Sequence, residues 1–282
     1  MPCTGRCRTR SPRSTRPELA RRARLDVELV RRGLARSREQ AAGLIAEGRV
    51  KVGGAVATKP ATGVEAATPV VVEAVEGEQW VSRGAHKLLG ALDAFGYDPT
   101  GKRALDAGAS TGGFTQVLLR RGAAHVVAVD VGYGLLAWPL RTDDRVTVIE
   151  RVNARTLELE QVGDPVDLVV ADLSFIPLGL VLPALVRCTV PCGDLIPMVK
   201  PQFEVGRENL PSGGVVRDPG ARASAVRRVA GQAHDLGLGV RGVVASPLPG
   251  PSGNVEFFLW LQAGAPPLDD ADLARAIAEG PT

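Results

Sequence analysis

The chain has 282 residues, 45% of them hydrophobic and only 4% aromatic, with a formal net charge of +3. That length fits one α/β domain of about 200 residues beside something smaller, and no run approaches the ~18 apolar residues of a membrane helix, which excludes that class. The charge is uneven: residues 1–60 hold 15 Lys and Arg against 5 Asp and Glu, and the remainder 19 against 26, so a basic module suited to a polyanion precedes a near-neutral one.

Residues 1–18 carry Arg6, Arg8, Arg10, Arg13 and Arg16 with no apolar periodicity. A disordered basic tail is expected there. No apolar core follows the arginines, so no secretory signal is read and a cytoplasmic location is expected. The four cysteines form two C-x3-C pairs, Cys3/Cys7 and Cys188/Cys192. This is not zinc-ribbon spacing and no histidine is close, so free thiols and no metal are expected.

From residue 19 a pattern emerges. Leu25, Leu29 and Leu34, then Ala41, Leu44 and Ile45, predict two short amphipathic helices broken at Gly33 and ended at Gly48. Strands are expected at Arg49–Val52, Ala55–Lys59 and Val70–Ala74. The run R-L-D-x-x-L-V-x-x-G-L-A-x-S-R-x-x-A-x-x-L-I-x-x-G-x-V-x-V-x-G, closed by Lys59-Pro60, resembles the S4 RNA-binding domain. The resemblance implies that Arg22, Arg24, Arg36, Arg38 and Lys59 face structured RNA. Any one of them could equally be solvating a helix surface; opposite an apolar stripe, together they form the footprint that phosphates require. The module is read as residues 19–76, and 77–81 as an acidic linker ending near Trp80.

A second domain is read over 82–266, with a C-terminal tail at 267–282. Its first helix presents Leu88, Leu92 and Phe95 inward and is ended by Asp98-Pro99-Thr100-Gly101. There follows K-R-A-L-D-A-G-A-S-T-G-G-F, Lys102–Phe114: a buried strand at Arg103–Ala107, then a turn in which Gly108, Gly112 and Gly113 let backbone approach a ligand. The dinucleotide fingerprint G-x-G-x-x-G is broken by Ala109-Ser110, which weighs against a dehydrogenase. S-adenosylmethionine (SAM) is the leading ligand; a nucleotide or an ordinary tight turn are the alternatives.

Strands and helices then alternate, predicting a mostly parallel sheet covered on both faces. Strands are placed at His125–Asp130, Val146–Ile149, Asp167–Ala171, Asp194–Val199, Val240–Ala245 and Val255–Leu261, with a long helix over Pro219–Leu236 and a short one at Leu268–Glu279. Polar groups fall at successive strand ends: Asp106, Asp130, Asn153 and Asp172. In a SAM site Asp106 could face the ammonium, Asp130 the ribose hydroxyls and Asn153 the adenine edge; the plain alternative is a helix N-cap. Lys87, Asp172, Lys200 and Glu256 each follow or interrupt an apolar run, where an unpaired charge is costly. They must pair with one another or do chemistry, although each alone could be a surface charge or structural ion pair.

The order Lys87, Asp172, Lys200, Glu256 is similar to the K-D-K-E tetrad of the FtsJ-like 2′-O-ribose methyltransferases. With S-R-G-A-H-K-L, D-V-G-Y-G, A-D-L-S-F-I, V-K-P-Q-F-E-V-G and S-P-L-P-G-P-S-G-N-V-E, the chain resembles the TlyA family of ribosomal RNA cytidine 2′-O-methyltransferases, some of which carry haemolysin names. The resemblance implies a class I SAM-dependent methyltransferase fold, Rossmann-like with a seven-stranded sheet whose last strand is antiparallel, behind an α+β S4 domain. It implies a cofactor site of Asp106, Gly108, Ser110, Thr111, Gly112, Gly113, Phe114, Asp130, Asn153 and Asp172, and ribosomal RNA or its subunits as partner.

Lys200 would take the 2′-hydroxyl proton in its neutral form, favoured by burial beside the Lys87 cation. Asp172 would orient that amine, and Glu256 would orient Lys87 or the ribose. Arg83 is expected at the RNA. Phe175 is read either as a platform for an unstacked base or as an ordinary core residue. A monomer is expected. The rival readings are a non-enzymatic RNA-binding assembly factor and a membrane-lytic protein.

Overall fold

A computed structural model describes residues 22–35, 37–65, 67–72, 80–206, 208 and 210–281. It divides into two compact units between residues 79 and 80. The expected basic tail, Arg36 and residues 77–79 of the expected linker lie outside the described residues.

The first unit runs β1 (Ala23–Arg24), α1 (Leu25–Arg31), α2 (Arg38–Ala46), β2 (Val50–Val52), β3 (Ala55–Val56), β4 (Gly63–Val64) and β5 (Val70–Val72). β1 pairs with β4, and β2 is the centre of a three-stranded antiparallel sheet. Leu25, Leu29, Ala41, Ile45, Val50 and Val64 close a small core. Gly33 and Gly48 end the helices at φ +71 and +70, a region closed to most residues. Ser37 caps α2 by accepting from Gln40 N at 3.1 Å. Leu34, expected on the apolar stripe, is instead 37% exposed, because α1 stops before it and Ala35 turns inward.

The second unit contains α3 (Gly84–Phe95), β6 (Arg103–Ala107), α4 (Gly113–Arg120), β7 (His125–Asp130), α5 (Trp138–Arg141), β8 (Val146–Glu150), α6 (Leu159–Val162), β9 (Val166–Ala171), α7 (Leu182–Arg187), β10 (Thr189–Val199), α8 (Pro201–Glu204), α9 (Pro219–Asp235), β11 (Leu238–Ala245), β12 (Phe257–Ala263) and α10 (Asp270–Glu279). The seven strands lie in the order β11-β12-β10-β9-β6-β7-β8. β12 is antiparallel to both neighbours and the remaining pairs are parallel. This is the expected doubly wound sheet with its last strand inserted antiparallel.

The strands are apolar on both faces, and the period of two divides them. Leu105, Val127, Val169 and Leu195 join the layer under α7, α9 and α10; Ala104, Val126, Leu168 and Ile196 join the layer under α3 and α4. The expected start of β10 at Asp194 moves back to Thr189, with a register shift before Asp194, where Pro191 offers no N–H to the ladder. α3 ends at Gly96, φ +61, earlier than the expected Asp98-Pro99 signal.

Two expected boundaries are corrected. Trp80 and Val81, read as linker, pack on the core of the second unit; Val81 N donates to Gln116 Oε1 at 2.8 Å and the Arg120 guanidinium lies 4.4 Å from the Trp80 ring centre. Residues 267–282, read as a tail, carry α10, whose Leu273 and Ala276 are buried beneath it and whose N-terminus is capped by Asp269.

Candidate active site

β6 delivers the chain to the middle of the sheet, between β7 and β9, where a strand-order reversal opens a crevice at the carboxyl ends. The loop from Gly108 to Gly112 fills it. Gly108 has φ +87, and a Cβ there would lie 2.5 Å from the carbonyl oxygen of Asp172. Asp172 N in turn donates to Ala107 O at 3.0 Å, so the ends of β6 and β9 are tied together at this glycine. Gly112 and Gly113 are also closely packed against protein. A Cβ at Gly112 would strike Leu140 and Leu136, and one at Gly113 would strike Ser82 and Ala85. Their missing side chains admit these protein segments, and Gly113 also lines the cleft.

Asp106 is fully buried. Its Oδ2 accepts from Thr115 N at 2.8 Å and Thr115 Oγ1 at 2.6 Å, while Oδ1 has no partner among the described residues. Burial pushes its carboxyl up to about 7, with the Thr115 hydrogen bonds acting in the opposite direction. A buried acceptor left open beside the glycine loop fits a ligand that brings a cationic donor, as the SAM ammonium would.

The other strand-end residues behave more locally. Asp130 accepts from Ser110 N at 2.8 Å through Oδ2 and from Gly132 N at 2.7 Å through Oδ1. It therefore pins Ser110 in its left-handed conformation, φ +48, and only remaining lone pairs are open to a ribose. Asn153 caps a 3-10 turn by accepting from Arg155 N at 3.0 Å, the plain alternative raised for such residues. The acid at the end of β9 is the one that enters the cleft.

That cleft is lined by Gly108 to Thr111, Gly113 and Phe114 together with Arg83, Lys87 and Asp172. The four ionisable residues assemble here as two ion pairs. Lys87 Nζ, on α3, lies 2.5 Å from Glu256 Oε2, just ahead of β12. Lys200 Nζ, at the end of β10, lies 2.5 Å from Asp172 Oδ1 and donates to Ser174 Oγ at 3.0 Å. Lys87, Lys200 and Glu256 are all buried. Burial raises the Glu256 carboxyl, and Lys87 and Lys200 oppose the shift. The Phe114 ring, expected at the cofactor, is 3% exposed and packs 6.0 Å from the Phe258 ring centre, forming the floor between cleft and core.

Phe175 is 90% exposed, in a left-handed conformation at φ +66, with its ring 5.3 Å from that of Phe203. The reading as a core residue is overturned. Arg83 is exposed at the rim. In the first unit, Arg22 pairs with Glu65 at 3.2 Å, Lys59 is exposed, and Arg24 and Arg38 both bind Asp26.

Several functional-looking groups escape a reading of the sequence. Glu204 is buried; its Oε1 accepts from Leu178 N at 2.8 Å and clamps the loop after Asp172 onto α8. Asp194 is buried and gathers Tyr97, Lys102, Trp260 and Gln262. Asp26 and Glu28, which hold arginine pairs, read as ordinary first-turn acids. Only their place beside apolar residues could have marked them.

Comparison with known proteins agrees with this geometry. The FtsJ-like methyltransferase family model matches residues 80–263, and the S4 domain model matches residues 23–68. The 16S/23S rRNA (cytidine-2′-O)-methyltransferase TlyA of Mycobacterium tuberculosis is 61% identical over 269 residues, spanning 93% of this chain and 100% of the relative. Hemolysin A of Brachyspira hyodysenteriae is 34% identical, spanning 83% of this chain and 97% of its own. A solved Streptococcus thermophilus structure carrying a provisional hemolysin name superposes with TM-score 0.74 at 37% identity, over 92% of this chain and 96% of that one. An antiparallel last strand, a glycine loop facing a Lys-Asp-Lys-Glu set and a preceding S4 unit thus occur together in one chain, which belongs to the FtsJ-like methyltransferase family as a TlyA member.

Proposed function

We propose that this chain transfers a methyl group from SAM to the ribose 2′-hydroxyl of cytidines in ribosomal RNA of both subunits. The observation that carries the reading is the meeting of two ion pairs, Lys87 with Glu256 and Lys200 with Asp172, at the cleft of the glycine loop, which Lys87 and Asp172 line. The RNA class follows the Mycobacterium tuberculosis relative, whose name specifies 16S/23S rRNA cytidines. Such a substrate implies work in the cytoplasm.

SAM supplies an electrophilic methyl on a sulfonium centre. Asp106 would receive its ammonium at Oδ1, and the backbone of Gly108 to Thr111 would hold its body. Lys200 Nζ would take the proton of the attacking 2′-hydroxyl, and Asp172 and Ser174 fix the direction of the amine. Lys87, held by Glu256, borders the cleft as a positioning cation. Proximity and alignment supply much of the remaining acceleration. Phe175 offers its exposed face to an unstacked base, with Arg83 beside the cleft and Arg22, Arg24, Arg36, Arg38 and Lys59 of the first unit for the backbone.

An assembled tetrad weighs against a purely RNA-binding factor. Among the described residues no helix is long and apolar enough to cross a membrane. The test is alkaline cleavage of ribosomal RNA after incubation with protein and SAM. Cytidines resistant to cleavage are expected, because 2′-O-methylation removes the internal nucleophile. Methyl incorporation with an unchanged cleavage ladder would overturn the reading.

A further inference from the structure

Asp26 sits in the first turn of α1 and is 4% exposed. It is surrounded by donors. Oδ1 accepts from Arg24 Nε at 3.0 Å and from Val27 N at 3.0 Å; Oδ2 accepts from Arg24 Nη2 at 3.1 Å and from Arg38 Nε and Nη2 at 3.2 and 2.9 Å. Arg24 precedes α1 and Arg38 opens α2, so one carboxylate joins two helices. Both arginines nevertheless remain open to solvent, with side chains 52% and 63% exposed.

We propose that Asp26 is a positioning residue of an RNA-binding surface, holding Arg24 and Arg38 as one pre-formed fork for a backbone phosphate. The inference rests on the RNA-binding reading of the first unit and deepens it.

The guanidinium is planar, with five N–H groups in fixed directions. Each arginine gives its Nε/Nη2 edge to Asp26. The opposite edge, with both Nη1 hydrogens and the second Nη2 hydrogen, is thereby turned away from the carboxylate. That edge matches two phosphate oxygens. Long, freely rotating side chains would otherwise lose their rotamer freedom when RNA arrives; here much of it is already lost in the folded unit. Asp26 also offsets the repulsion between two neighbouring guanidinium groups.

The neighbouring Glu28 shows the contrast. It binds Arg31 and Arg32, but the Arg32 guanidinium also donates to the carbonyls of Thr68 and Glu65 and is only 19% exposed. That set fastens a helix to the sheet side of the unit. Among the described residues neither arginine of the Asp26 set has such a backbone anchor, and both are exposed.

The test uses the sign of a charge effect. If Asp26 were only a nearby acid, Asp26→Asn would remove a repulsive charge and tighten RNA binding. Positioning predicts the reverse. Filter binding of the full chain to a large-subunit ribosomal RNA transcript, over about 50–300 mM KCl, should show roughly tenfold weaker binding for D26N. Its log–log salt slope should be shallower by about one phosphate contact, and SAM affinity should be unchanged. Unchanged or tighter RNA binding by D26N overturns the proposal.

If D26N loses the helical signal of the first unit, the pair R24K and R38K decides. Each keeps the charge but lacks the two-edged fork, and each should weaken binding about as much as the corresponding alanine variant; binding like wild type overturns the proposal. Failure of the wild-type chain to bind the transcript with any salt dependence would instead remove the RNA-binding reading itself, and this inference with it.

Discussion

The ammonium of Lys87 and the carboxylate of Glu256, 169 positions apart in sequence, meet at 2.5 Å with side chains only 9% and 1% exposed. Removing one partner leaves the other as a buried, unpaired charge. Lys87→Ala or Glu256→Ala should each cost about 3–5 kcal/mol of stability in denaturant titration, and K87M/E256L much less than the two combined. Additive losses would mean that the two charges are solvated independently.

Lys200 separates catalysis from cofactor binding. Its amine touches Ser174 and Asp172, which lines the cleft, and is assigned no contact with the cofactor. Lys200→Ala should leave SAM affinity by calorimetry within a few-fold of wild type while lowering transfer of labelled methyl to ribosomal RNA by at least 10²–10⁴-fold, the range of a lost general base. Retained transfer would assign the proton to another group.

Gly108 is the most constrained position of the loop. An alanine there must adopt φ +87 with its Cβ 2.5 Å from Asp172 O. Gly108→Ala should therefore destabilise by more than ~1 kcal/mol and, because Asp172 must shift, also reduce methyl transfer. Gly134→Ala, with φ +69 and open space around the Cβ position, is the control. It should show the backbone penalty without the loss of transfer.

Much of the sheet was legible because its strands carry a simple signal. Arg103–Ala107 and His125–Asp130 are short, largely apolar runs with an acid at or next to the last position, and both occur with the boundaries read from sequence. The tetrad was legible because charges stood in apolar surroundings. The backbone hydrogen bonds accepted by Asp130 and Asn153 were not, since a strand-end side chain can serve a ligand, the next turn or both. Trp80 illustrates a different limit: an aromatic beside an acidic stretch reads as a linker anchor until its neighbours from α4 are known. Asp194 and Glu204 were invisible because their partners come from distant segments, such as Trp260 and Leu178.

Asp194 should rank among the most sensitive positions of the second unit. It accepts from Tyr97 Oη at 2.8 Å, Lys102 Nζ at 3.1 Å, Trp260 Nε1 at 2.8 Å and Gln262 Nε2 at 2.9 Å, joining α3's exit, β10 and β12. Asp194→Ala strands several donors at once and should cost about 3–5 kcal/mol; D194N, which keeps one carbonyl acceptor, should cost less. Equal losses would show that size rather than hydrogen bonding matters there.

Asp106 gives a pH signature. Its folded value of about 7 lies above the ~3.9 of an unfolded aspartate, so between those limits the folded chain binds more protons than the unfolded one. Its contribution to stability is therefore intact below about pH 4 and declines as pH rises to about 7. Asp106→Asn should remove that decline, so the stability of the variant relative to wild type should grow across this interval in urea titrations and level off above it. A cation arriving at Oδ1 favours the ionised carboxylate. SAM binding near pH 6.5 should then release part of a proton, read by calorimetry in two buffers of different ionisation enthalpy, while D106N should bind SAM more weakly and release none. A wild-type signal independent of buffer would mean that the open oxygen of Asp106 does not meet the cofactor's charge, and the ammonium would have to be sought elsewhere along the glycine loop.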